Sequence, residues 1–337
     1  MAVVLTIVKI FLFPGLLFTL LASLWLAGVD RRLVAKMQRR VGPPLLQPWY
    51  DYLKCCGKET IIPRKANKRI FLAAPLLGLA CVLVTALLLP VGGIGLLTAY
   101  SNAADLVVIL YLLTLASVTL IVGAASSGSP FAGVGLSREM VAMISYELPF
   151  VLVILAVGRA AGQEMTALAS ALLPRAGTLG WGGVTFSLAD IVACQQLTGA
   201  PMLARWALVP AAAAMLFVIP CEVGQQPLDI DEAETEICEG VLAEYSGRPL
   251  AQFKLMHIVK MYVMSGLFVA MFLHIETGIT VLNVAIYLAL CTLVTFVSMT
   301  VPHAVMARLK VEQVFRFYWT VVTGLAAASL ILVWCGV

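Results

Sequence analysis

The stretch from Glu222 to Glu244 reads EVGQQPLDIDEAETEICEGVLAE and holds eight of the eighteen acidic residues of the chain. They are Glu222, Asp229, Asp231, Glu232, Glu234, Glu236, Glu239 and Glu244. If Asp229–Gly240 were helical, Asp229, Glu232, Glu236 and Glu239 would fall on one face. Like charges so spaced repel, and such a helix needs protons or cations to offset them. A solvated acidic surface is the competing reading. It is weakened by the apolar runs on both sides of the segment. A further carboxylate, Glu147, sits inside the apolar run MVAMISYELPF, two residues before Pro149. An ionised carboxylate within a membrane costs several kcal/mol, so this one is expected to be protonated, paired or facing water. His257 and Lys260 lie less than a turn apart in another apolar run and can reach carboxylates of the acidic segment. The alternative for His257 is an interhelical hydrogen bond. The chemistry these residues suit is proton uptake and release, with acidities tuned by burial and by neighbouring charge.

Other chemistries find no support. The eight cysteines include the adjacent pair Cys55 and Cys56, and the rest stand alone. No C-x-x-C spacing offers a zinc or iron–sulfur site, so the chain is expected to hold no metal or other cofactor. The net charge of +4 does not mark a nucleic-acid binder, because the basic residues cluster by position along the chain.

The elements that position these groups are membrane spans. The 337 residues are 61% hydrophobic and 12% charged, with a mean hydropathy of +1.00. A soluble domain carries about 25% charged residues. Apolar runs near the roughly 20 residues a bilayer requires predict eight helices, at Val4–Ala27, Ile70–Pro90, Leu106–Ala124, Met140–Gly158, Ala204–Pro220, Leu255–Leu273, Ile279–Val301 and Val314–Trp334. Long continuous runs exclude a β-barrel, and no internal repeat suggests an inverted-repeat carrier. The expected fold is therefore an all-α integral membrane protein, a single polytopic domain over residues 1–337. The first apolar stretch is too long for a cleaved signal, and no small-residue cleavage site follows it.

Orientation follows from Lys and Arg. The segment 30–69 holds eleven of them, and alternation adds Arg138, Arg248, Lys254, Arg308, Lys310 and Arg316 to the same face. The opposite face has Lys9, Arg159, Arg175 and Arg205. The basic face is expected to be cytoplasmic and both termini outside, in a multi-pass protein of the cell (inner) membrane. Residues 222–254 then form a cytoplasmic acidic loop. The external segment 159–201 contains a weakly amphipathic stretch, Phe186–Leu197, expected to lie along the interface.

The basic loop 30–69 has its own pattern. Gly42, Pro43 and Pro44 interrupt any helix, and Pro48 can open a new one. From Trp49, the run WYDYLKCC places Trp49, Tyr52, Leu53 and Cys56 on one face, with Asp51, Lys54 and Lys58 opposite. This predicts an amphipathic interfacial helix. Alone it reads as a topology signal with a surface anchor, or as a platform for a soluble partner.

Three motifs in one order complete the reading: QRRVGPPLLQPWYDYLKCCGKE, SREMVAMISYELP and EVGQQPLDIDEAETEICEGVLAEYSGRPLAQFKL. Together they resemble the H-type membrane subunit of respiratory complex I. They are still more similar to its counterpart in energy-converting, membrane-bound [NiFe] hydrogenases and formate hydrogenlyases. The resemblance spans the chain and implies a non-catalytic subunit of an oxidoreductase complex. Such a subunit anchors the soluble electron-transfer arm and couples redox chemistry to proton or sodium pumping through buried carboxylates. Carried over by motif, it implies coupling roles for Glu147, Glu222, Asp229, Glu232, Glu234, Glu236 and Glu244, with Glu139, His257 and Lys260 beside them. Arg39, Arg40, Gln47, Trp49 and Arg138 are expected at the docking interface. The implied partners are hydrogenase-type large and small subunits, an iron–sulfur subunit, antiporter-like membrane subunits and the bilayer, with nickel–iron and iron–sulfur centres in the partners. Departures favour the hydrogenase branch. The Gly-Pro run leads directly into Leu45-Leu46-Gln47-Pro48, Gln225 stands where complex I members carry an Arg, Glu139 follows Arg138, and His257 stands where complex I tends to have a carboxylate. The alternatives are a quinone-binding complex I subunit, with quinone behind Trp49 and Gln225, and a stand-alone secondary transporter.

Overall fold

In the computed structural model, residues 9–92, 106–172 and 183–336 are described, apart from the side chains of 167–172, 234 and 235. Their regular elements are all helices, with no strand among them. Eight helices are long and apolar enough to cross a membrane: Lys9–Met37, Lys68–Leu88, Leu106–Ser127, Pro130–Thr166, Trp206–Val223, Gly247–Phe272, Thr280–Val305 and Val311–Trp334. Each overlaps one expected span. Backbone polar groups have no water partners in the hydrocarbon core, and the helix satisfies them internally.

We number the helices α1 Leu16–Met37, α2 Gln47–Cys56, α3 Lys68–Leu88, α4 Leu106–Ser127, α5 Pro130–Leu172, α6 Leu188–Thr198 and α7 Val209–Val223. Then follow α8 Glu234–Ile237, α9 Gly247–Phe272, α10 Thr280–Thr295, α11 Val301–Val305, α12 Val311–Phe317 and α13 Thr323–Trp334. Two π turns, Phe296–Thr300 and Tyr318–Val322, interrupt the last two spans.

Helix α9 is the axis of the bundle. It is buried on nearly every side, which an all-round apolar helix requires, and it packs against α1, α2, α3, α7 and α10. Small residues let its neighbours close in. A Cβ at Gly78 on α3 would lie 2.7 Å from Met256 Sδ of α9, and one at Gly266 of α9 would run into Tyr287 Oη of α10. Close backbone approach of this kind is how membrane helices gain packing energy where lipid supplies no hydrophobic drive.

Three features differ from the expectations. Helix α5 runs 43 residues, well past the expected Met140–Gly158 at both ends. Hydropathy marks only its apolar centre, whereas Arg138 and Glu139 belong to the same helix and are stabilised by packing on the acidic loop. The acidic segment does not form a helix over Asp229–Gly240: only Glu234–Ile237 is α-helical, and Cys238, Glu239 and Gly240 take left-handed backbone angles. Its carboxylates therefore share no helix face, and separate basic groups hold several of them. Helix α6 does more than lie at an interface. Leu188, Ile191, Val192, Cys194 and Gln195 are buried, and Gln195 donates to Ala270 O at 2.9 Å at the end of α9.

The amphipathic helix forms as expected. In α2, Trp49 and Tyr52 pack against the core, while Leu53 is 60% exposed. The loop segments 30–69 and 224–246, with Arg138 and Arg308, meet at one end of the bundle. There Ile61 N donates to Ser246 Oγ at 2.8 Å and Asn67 N to Ser126 O at 3.0 Å. At the other end, Thr185 N donates to Gly158 O, and the Arg159 guanidinium lies 5.2 Å from the Trp334 ring centre. Arg175, assigned to this end from the pattern of basic residues, lies outside the described residues.

Candidate functional site

Where the acidic loop meets α5 and α9, charged side chains descend into the bundle. Lys260 on α9 and Glu222, in the last turn of α7, form an ion pair at 2.8 Å, with side chains only 4% and 2% exposed. Lys260 Nζ also donates to Ser117 Oγ of α4 at 2.8 Å, and Ser117 shares a 3.2 Å hydrogen bond with the buried Tyr146 hydroxyl of α5. Four spans thus contribute to one polar string. Glu139, also buried, lies within the fields of Asp231, Lys260, Glu222 and Glu232. Charges are tolerated in such surroundings only when paired or hydrogen-bonded, so the string specifies which helices stand together.

The loop itself supplies the outer tier. His257 Nδ1 lies 3.7 Å from Glu232 Oε1. Arg138 reaches Glu236 at 2.6 Å and the Ile230 carbonyl at 3.4 Å. Arg308 grips Asp229 with Nε and Nη2, the shortest contact being 2.7 Å. Asp231 is buried between these tiers. Burial first, and the charge of Glu232 second, push its carboxyl from the ordinary 3.8 up to about 7, against the opposing pull of His257. Desolvation favours the neutral acid, so this carboxyl sits where it can take up or release a proton near neutrality.

A second polar cluster flanks the first. Asp30, buried near the end of α1, accepts from Gln225 Nε2 at 2.8 Å and from Thr300 Oγ1 at 2.5 Å. Thr300 ends the π turn Phe296–Thr300, and π turns recur at functional positions. Asp30, Gln225, His257 and His303 border a cavity of about 190 Å³.

Several expected residues fall elsewhere. Glu147 is half-buried rather than fully buried, and it lies beside Thr114 of α4, whose hydroxyl donates to Leu110 O at 3.0 Å. Lys260 reaches Glu222, a carboxylate of the acidic segment, as expected. Glu244 is half-buried before α9 and forms no ion pair among the described residues. Glu234 is in α8, and its side chain lies outside the described residues. Of the five residues expected to dock a partner, Arg39 and Arg40 are exposed and in no ion pair among the described residues. Arg40 instead contacts the Gln38 side chain. Gln47 donates to Asp51 at 3.0 Å, Asp51 pairs with Arg31 at 2.7 Å, and Trp49 is half-buried. Burial pushes the Asp51 carboxyl up, but the hydrogen bonds from Arg31 and Gln47 outweigh it and hold the group below its ordinary range. Arg138 is occupied by the acidic loop.

Sequence reasoning missed the roles of Asp30, Ser117, Tyr146, Thr300 and Arg308, and counted Asp231 only as one acid among eight. Asp30 was open to detection, being a carboxylate beside an apolar run. The Ser, Tyr and Thr hydroxyls were not, because hydroxyl residues are common in spans and only the packing shows which ones meet a charge. No group of three or more metal-ligating side chains gathers among the described residues.

Comparison with known proteins adds the following. Residues 9–334 match the family described as NADH dehydrogenase. The H-type subunit of the NADH-quinone oxidoreductase of Thermomicrobium roseum is 31% identical, over 91% of this chain and 89% of that protein. Hydrogenase-4 component C of Escherichia coli is 28% identical, over 90% and 88%. A chain of the membrane-bound sulfane sulfur reductase, an archaeal respiratory membrane complex, superposes with a TM-score of 0.80 at 26% identity, over 94% of this chain and 96% of that one.

Proposed function

This chain belongs to the NADH dehydrogenase family, and we propose that it is the membrane-anchoring, ion-coupling subunit of a redox-driven pump of the [NiFe]-hydrogenase type. The family's relatives are subunits of larger membrane complexes, so partner subunits are expected; catalysis, nickel–iron and iron–sulfur centres belong to those partners in this reading. The basic loop 30–69 faces the cytoplasm and meets the soluble arm. The acidic loop, here residues 224–246 between α7 and α9, receives the redox signal, and the string from Asp231 through Glu139, Glu222 and Lys260 carries it into the membrane arm. The observation that supports this most directly is the buried Lys260–Glu222 pair beside Glu139 and Asp231. A change in one of these charges alters the proton affinity of its neighbours in a medium that screens poorly.

The test is purification of the intact complex through this chain, followed by reconstitution in vesicles. We expect a co-purifying large subunit that contains nickel, and ion uptake driven by its redox turnover. A chain that moves ions alone, with no redox partner, would reinstate the stand-alone transporter and sink this reading. The cavity at Asp30, Gln225, His257 and His303 favours a second reading, in which the chain serves a quinone-reducing complex. A nickel-free large subunit and quinone-dependent turnover would select it.

A further inference from the structure

Two cavities adjoin at the loop end of the bundle, one of them walled by the outer tier of the charged site. One, of about 540 Å³, lies between α7, the π turn Phe296–Thr300, α11 and α12; its walls are largely apolar and include Leu216, Phe217, Met306 and Phe317. The other, of about 610 Å³, is a polar cleft. Leu309 and Gln313 border both. An apolar cavity holds water poorly, and one set among membrane spans has acyl chains at hand. The polar cleft has three basic residues, Arg138, Arg308 and Lys310, and three acidic ones, Asp229, Glu236 and Glu312. Arg308 is held by Asp229 and Arg138 by Glu236. Lys310 and Glu312 remain, both exposed, two residues apart at the start of α12 and in no ion pair among the described residues. One cation and one anion on the wall of a cleft of zero formal charge complement a zwitterion better than an anion.

We propose that the two cavities together bind one glycerophospholipid with a zwitterionic headgroup. Its acyl chain fills the space between α7 and α12, its phosphate faces Lys310, and its ammonium faces Glu312. Pro227 and Leu228 wall the apolar cavity, and Asp229 and Ile230 wall the polar one. The lipid therefore braces the acidic loop at Pro227–Ile230. This site does not depend on the proposed pump activity.

The test uses the full chain and its complex in mild detergent, with native mass spectrometry after addition of phosphatidylethanolamine, phosphatidylglycerol of the same acyl chains, or an isoprenoid quinone. We expect one phosphatidylethanolamine retained several-fold more strongly than phosphatidylglycerol. Lys310→Ala with Glu312→Ala should equalise the two lipids, and Ala213→Phe, which fills the apolar cavity, should abolish retention of both. The double substitution is at the surface, so the test stands even where Ala213→Phe does not fold. Equal retention of the two lipids by the unaltered chain would reduce the binding to ordinary annular lipid and overturn the proposal. Preference for the quinone, or a partner helix cross-linked to position 213 in the complex, would overturn it as well.

Discussion

Lys260 of α9 and Glu222 of α7 meet at 2.8 Å in almost complete burial. Removing one partner strands the other charge, at a cost of about 3–5 kcal/mol, whereas replacing both by residues of similar volume is often neutral. We expect Lys260→Met and Glu222→Gln each to lower the yield and thermal stability of the assembled complex. The double variant should recover much of that loss while remaining unable to pump. Thermal inactivation midpoints of the three variants measure the coupling, and purely additive losses would show that the two side chains do not depend on each other.

Asp231 gives the loop a pH dependence of known sign. Its carboxyl holds a proton up to about 7 in the folded loop, against an ordinary value of 3.8. Between those values the folded state binds more protons than the unfolded, so the loop's stability falls as pH rises through that window. Asp231→Asn removes the penalty. At pH 8 the variant's loop amides, Val241 N among them, should exchange hydrogen more slowly than in the unaltered chain, and at pH 4 the two should match. Equal exchange at pH 8 would place the titration elsewhere.

Glu147→Gln keeps the shape of the side chain but cannot ionise. The complex should assemble normally and lose ion uptake, with redox turnover slowed or uncoupled. Ion uptake per electron in inverted vesicles is the measurement. Full stoichiometry at the unaltered rate would leave Glu147 a packing residue.

Arg39 and Arg40 are exposed on the basic loop, where no intramolecular ion pair competes for them among the described residues. Arg39→Glu with Arg40→Glu should weaken co-purification of the soluble arm without changing the amount of chain in the membrane. Opposed charges at an interface cost several kcal/mol. Unchanged recovery of the arm would remove this loop from the interface.

The spans were legible because hydropathy over twenty residues is a coarse quantity that a bilayer reads directly. The helix after Pro48 was legible from its cap and its two faces, and the contacts of His257 and Lys260 with carboxylates followed from the cost of leaving either unpaired. The conformation of the acidic loop was not. Seven acids from Asp229 onward look like one repelling surface, but Arg138 and Arg308, remote in sequence, pair with Glu236 and Asp229, and left-handed residues at 238–240 end the short helix that forms. Nor could sequence show that Glu147 lies at the flank while Glu139 lies inside. Both sit in one helix among apolar residues, and only the side of α5 that the loop covers distinguishes them.

The all-round burial of α9 constrains how the protein can be made. A lone helix with Lys260 at its middle enters a bilayer with a penalty of about 2.5–3.5 kcal/mol for that residue. Its counter-charge, Glu222, precedes it in the chain and leaves the ribosome first. Helices α1, α3 and α7 are likewise already synthesised when α9 emerges, so a partly formed ring can receive it, and α10 closes the remaining side afterwards. Insertion of α9 is then a docking event on earlier helices rather than a free partition into lipid. Defects in α7 should consequently surface as α9 failing to enter the membrane, which ties the biogenesis of the chain to the same pair of charges that stands at its centre.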